Sequence, residues 1–124
     1  MIRIMTTTLA ALTLTASTAF AGECTAPELP TIPDGASANM EAMVAGKKAV
    51  SEFQAGNTNY LNCLNVEIEA AKAAFASEKD ETKKVAAQSN YQALLDTYNK
   101  AVTAEESLAA EFNTAIRAYK AANQ

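Results

Sequence analysis

From about Ala38 onward, apolar residues recur every three or four positions, the spacing of one face of an α-helix. Met43, Val50, Leu61, Leu64, Ile68, Ala71 and Phe75 form one such seam, interrupted by Lys47, Gln54 and Asn57. A second set, Tyr91, Leu95, Tyr98, Val102, Glu105, Ala109, Phe112, Ile116 and Tyr119, keeps a 3-4 spacing through four heptads with Glu105 as its one charged member. The stretch from Asn57 to Gln124 contains neither Gly nor Pro and is rich in Ala, Glu, Lys and Leu, the residues that favour helix. The pattern predicts helix 1 over 38–76 and helix 2 over 83–122. Ser77 to Thr82 is the turn between them, and Asp80 or Thr82 is the cap of the second. Two possible breaks stay open, at Gly56-Asn57 and at the capping-box-like run beginning at Thr103.

Pairing two such rods about a turn near residue 79 gives a long antiparallel hairpin, coiled-coil-like and all-α. It sets Lys47 opposite Glu111 and Phe53 near Glu105. Glu105 would then reach toward water or pair with a lysine. On the outer faces, Asp96 and Lys100 are spaced for an i,i+4 ion pair.

A different texture precedes the helices. Pro27, Pro30 and Pro33 recur every third residue, so in polyproline II their rings line one edge. Ala26, Leu29 and Ile32 line a second edge, which needs an apolar surface to lie on. Helix 1 offers one in a stripe beside its main seam: Gly46, Ala49, Phe53, Gly56 and Tyr60, ending at Cys63. Pro33-Asp34-Gly35 marks the turn, with Ser37 or Asp34 as the helix cap. An arm folded back along helix 1 brings Cys24 level with Cys63. It sets Leu29 near Phe53 and Pro27 or Ala26 near Tyr60, and puts Asn59 and Asn62 in reach of the arm backbone. A Cys24–Cys63 disulfide would tie it there.

The remaining N-terminal residues address location. Arg3, the apolar Thr-rich run Ile4–Ala16 and Ala19-Phe20-Ala21 resemble a secretory leader with an A-x-A cleavage site. Glu23 before Cys24 does not fit a lipoprotein signal. The domain plan is therefore a signal peptide over 1–21, an extended Pro-rich arm over 22–36 and a helical hairpin over 37–124, in a periplasmic or secreted protein. No later segment is apolar enough to span a bilayer.

Composition narrows the chemistry. The chain of 124 residues carries a formal charge of −4. Losing Arg3 with the leader leaves nine basic residues against 14 acidic ones, a charge of −5. Nucleic acid is a poor partner for that balance. There is no His, so imidazole acid–base chemistry and most transition-metal sites are absent. The carboxylate pairs Asp80-Glu81 and Glu105-Glu106 are sequence neighbours that point about 100° apart on a helix and do not converge. No cofactor motif occurs. Met40 and Met43 are the weak metal candidates, as two thioethers for copper(I). Tyr91, Tyr98 and Tyr119 read first as packing and second as a contact surface for a partner. The expectation is a small exported, non-enzymatic protein-interaction module: an envelope chaperone, adaptor or inhibitor. A homodimer pairing two hairpins is possible. The alternative is a periplasmic helical bundle that binds a small ligand or metal.

Overall fold

The computed structural model describes residues 23–124; the leader-like segment over 1–21 and the first arm residue, Gly22, lie outside the described residues. The chain is an all-α antiparallel hairpin of two helices, α1 (Met40–Ser77) and α2 (Glu81–Ala122). Their 38 and 42 residues make rods of about 57 and 63 Å at 1.5 Å per residue. Neither breaks: α1 runs straight through Gly56-Asn57 and α2 through Thr103. Among the described residues no helix is long and apolar enough to cross a membrane.

Local polar chemistry sets the ends. The cap of α1 is Asn39, whose Oδ1 accepts from the Ala42 amide at 2.8 Å, not Ser37 or Asp34. Those two residues close the preceding turn instead. Asp34 Oδ1 accepts from the Ala36 amide, its carbonyl accepts from the Ser37 and Ala38 amides, and Ser37 Oγ donates to Asp34 Oδ2. With its side chain and carbonyl used there, Asp34 leaves the first helical amides to Asn39. The second cap is Asp80, which accepts from the Lys83 amide at 3.0 Å and starts α2 at Glu81. Beside this turn the Lys84 ammonium stands 5.9 Å from the centre of the Phe75 ring.

The main core cluster joins Met43, Val50 and Phe53 of α1 to Leu108, Phe112 and Ala115 of α2. Toward the turn, Leu64, Ile68 and Ala71 continue the buried side of α1. Two expectations about the seams need correction. On α2 the expected seam is rotated by one stripe. Leu108, Ala101 and Ala115 are buried, whereas Leu95, Val102, Ala109 and Ile116 are only half-buried. On α1, Asn57 does not interrupt the seam: it is buried, at 1 % exposure. Nor do Asp96 and Lys100 pair; among the described residues the ion pair is Lys48–Glu52, at 3.7 Å and exposed.

Candidate functional site: two grooves on opposite sides of the hairpin

Two rods in contact leave two grooves, one on each side. The first holds the arm. Cys24 is bonded to Cys63, with their Cα atoms 5.6 Å apart, so the arm is tied at its far tip to α1. Pro27 packs over Gly56, where an added Cβ would stand 3.1 Å from the proline Cβ. Pro33 packs over Gly46, where a Cβ would come within 2.8 Å of the ring and 3.2 Å of Phe112. Ala26, Pro27 and Leu29 share one cleft with Phe53 and Tyr60. Ala49, between the two glycines, is half-buried.

The arm does not rest on α1 alone. At its inner end Gly35 is buried against α2, so close that a Cβ there would overlap the Ala115 carbonyl. Ala101 and Ala104 of α2 line the cleft under Pro27. The arm therefore lies in the groove between the helices, where small residues on both let a third chain segment approach.

Its attachment is unusual for so long a segment. Among the described residues, 23–33 make no hydrogen bond to either helix. Asn59 and Asn62 are exposed and do not bond the arm backbone. An irregular segment on the surface can leave its backbone groups to water, which removes the need for such bonds. Apolar packing and the disulfide hold it.

Between the grooves lies one polar contact. Asn57 Nδ2 donates to the Ala101 carbonyl at 3.1 Å and to Glu105 Oε2 at 2.7 Å. Asn57 opposite Ala101 is the register expected from a turn near residue 79. In that register Phe53 is level with Glu105, whose carboxylate accepts from Asn57 rather than pairing with a lysine. The pair is placed to fix the sliding register of the rods, the role that a buried Asn plays in coiled coils. Within it, one amide and one carboxylate satisfy each other.

The second groove is uncovered. Each residue turns the helix by about 100°, so Lys47 lies about 180° round α1 from Gly56, and Ile116 about 120° round α2 from Ala104. The groove is widest at the open end of the hairpin, with a volume near 400 Å³. Met40, Val44, Ile116 and Tyr119 line it there, with Lys47 and Lys120 as its charged members and no carboxylate. Met40 and Val44 are 62 % and 59 % exposed, although both are apolar. Further along, Gln54 and Leu61 face Val102 and Ala109, with Glu106 at the edge. The two walls run in heptads, Met40, Lys47, Gln54 and Leu61 against Leu95, Val102, Ala109 and Ile116. In the antiparallel register these positions fall level in cross-groove pairs, from Met40 beside Ile116 to Leu61 beside Leu95. The rows span 21 residues, about 32 Å.

The remaining candidates separate. Tyr119 packs against the core cluster from the edge of the open groove. Tyr91 and Tyr98 are half-buried on α2. Met43 is a core residue while Met40 is exposed beside it. Cys24, Cys63 and Glu67 come within metal-binding distance of one another, but the disulfide removes both thiolates as ligands. Val44, Lys120 and Ile116 were not singled out as a surface from the sequence. The signal for them was present: α2 carries two adjacent apolar stripes that share Tyr98, Glu105, Phe112 and Tyr119. One continues through Ala101, Leu108 and Ala115 and faces α1. The other continues through Val102, Ala109 and Ile116 and faces the open groove.

Comparison of the chain with protein-family models, with curated proteins and with solved structures returned no match.

Proposed function

We propose that the protein is a non-enzymatic interaction module of the cell envelope, exported by its leader-like N-terminus, which binds another protein in the uncovered groove of the hairpin. The observation that carries this reading is the solvent-facing apolar end of that groove, where Met40 and Val44 stay exposed. Rows of apolar residues at heptad spacing are the receiving half of a helix-in-groove contact. A hairpin that needed only its own stability would gain from polar residues there. The Cys24–Cys63 bond supports export, since disulfides persist in oxidising compartments.

The test is a site-specific photocrosslinker replacing Val44, with the same group at Asn59 as control. Asn59 is exposed on the outward face of α1. Binding in the groove predicts discrete protein adducts from position 44 and none from position 59, in cells that export the full chain. Equal labelling from both positions, or none from 44, would refute it. One observation favours a small-ligand reading instead: the open end has the volume and apolar lining of a ligand pocket. Native mass spectrometry separates the two, because a bound lipid or copper ion adds its own mass to the oxidised chain.

A further inference from the structure

The charges around the open groove point to the chemistry of what lies in it. This inference rests on the interaction reading above and names the partner. At the open end the lining carries two ammonium groups, Lys47 and Lys120, and no carboxylate. Lys120 stands level with the start of α1, and Lys47 about 14 Å further along. The first carboxylate on the walls, Glu106, comes about 8 Å beyond Lys47. The basic end of the groove is thus also the end where apolar Met40 and Val44 stand exposed, in a chain whose net charge is negative.

A second copy is a poor match for this pattern. In a parallel pairing, Lys47 and Lys120 would meet their own counterparts across the interface, which like-charge repulsion opposes. In an antiparallel pairing they would meet the turn end. There Glu69, Glu78, Asp80 and Glu81 stand among Lys72, Lys79, Lys83 and Lys84, so acidic and basic groups balance. Neither arrangement supplies the net acidic end that the two lysines call for.

We propose that the groove receives a foreign amphipathic helix, with apolar residues at heptad spacing and carboxylates at the end that overlies Lys47 and Lys120. The apolar α2 row, with Met40, Val44 and Leu61 of α1, supplies the contact, and the lysines set which end of the helix enters the open end. An amphipathic helix lays one stripe between two walls, and its acidic end neutralises charges that otherwise stand beside exposed Met40 and Val44. Both lysines are solvent-exposed, so the pairing chiefly governs orientation and encounter rate, and it weakens with salt.

Two synthetic helical peptides of 21 residues test this on the oxidised full-length mature chain. They share one leucine heptad stripe and differ only in the first nine residues, whose outward positions are Glu in one and Lys in the other. Fluorescence anisotropy at low ionic strength should show the Glu peptide binding at least tenfold more tightly. The Lys47→Glu/Lys120→Glu double variant should reverse that preference, and Val44→Gln should weaken both peptides. These residues are exposed, so circular dichroism should confirm an unchanged fold. Equal binding of the two peptides would overturn the proposed chemistry while leaving groove binding intact. Concentration-dependent dimerisation through Val44 in sedimentation would overturn it in favour of a second copy. Failure of both peptides together with loss of the position-44 adducts would remove the interaction reading itself.

Discussion

Three glycines and one asparagine show how single side chains shape this protein. Gly35, Gly46 and Gly56 all face the arm groove, but with different clearances. Alanine at Gly35 would meet the Ala115 backbone, which cannot turn aside, so Gly35→Ala should lower stability by about 3 kcal/mol, at the upper end for overpacking. At Gly56 only the edge of Pro27 is close, and alanine gains about 1 kcal/mol of helix propensity over glycine. Gly56→Ala should therefore change stability little, with Gly46→Ala between the two. Urea unfolding of the three variants reads the order directly, and a Gly56→Ala loss as large as that of Gly35→Ala would contradict it. Asn57 is a separate case. Its amide bonds a carboxylate in the seam, and hydrogen bonds to charged groups contribute about 1.5–3 kcal/mol. A double-mutant cycle of Asn57→Ala with Glu105→Ala should give a coupling of about 2 kcal/mol. A coupling near zero would mean that the contact sets no register. Nothing in local sequence marked Asn57 as buried, since a polar residue on an apolar face reads as an interruption until its partner is known.

Among elements, the helices were the most legible part, because the long stretch without Gly or Pro and the 3-4 spacing act locally. The cap of α2 was legible as one of two polar residues, Asp80 or Thr82, but that of α1 was not: the sequence points to Ser37 or Asp34 and passes over Asn39. Asn39, Ser37 and Asp34 are all competent caps, and the choice went to the one not already engaged in the turn. Replacing Asn39 or Asp80 by Ala should each cost about 1 kcal/mol in thermal unfolding. The same change at Ser37 should cost less, because Ser37 bonds Asp34 rather than a helix end. The face of α2 was misjudged by one stripe for an instructive reason. Two apolar stripes about 100° apart are equally periodic, and periodicity does not say which one meets α1. The stripe taken for the seam holds larger side chains, Leu95, Val102 and Ile116. The inner stripe uses Ala101 and Ala115, whose small size admits α1 and the arm backbone together.

At the scale of the molecule, the arm and the disulfide complete a structure that two rods alone leave thin. Closing the 39-residue separation between Cys24 and Cys63 stabilises the fold by about 4 kcal/mol in the chain-entropy model. Among the described residues, 23–33 of the arm make no hydrogen bonds to the helices, so the sulfur link carries much of its docking. Reduction should therefore free the arm first. Limited proteolysis of the reduced chain should cut within 23–36 while circular dichroism keeps most of the helical signal at room temperature. The Cys24→Ser/Cys63→Ser variant should behave alike and unfold at lower temperature. An arm that stays resistant after reduction would show that apolar packing alone suffices.

By itself the sequence determined what is local or nearly so: two long helices, a three-residue proline rhythm, a turn near residue 79, and two cysteines whose chain distances match if the arm folds back. These follow from backbone propensity and length, which need no knowledge of neighbours. Only the tertiary structure decided what depends on three segments meeting at once. It placed the arm between the helices rather than on one of them, because Gly35 fits against Ala115. It buried Asn57, because Ala101 and Glu105 stand across from it. It also left the stripe of Val102 and Ile116 facing open water, because two rods in contact have two grooves and the arm fills only one.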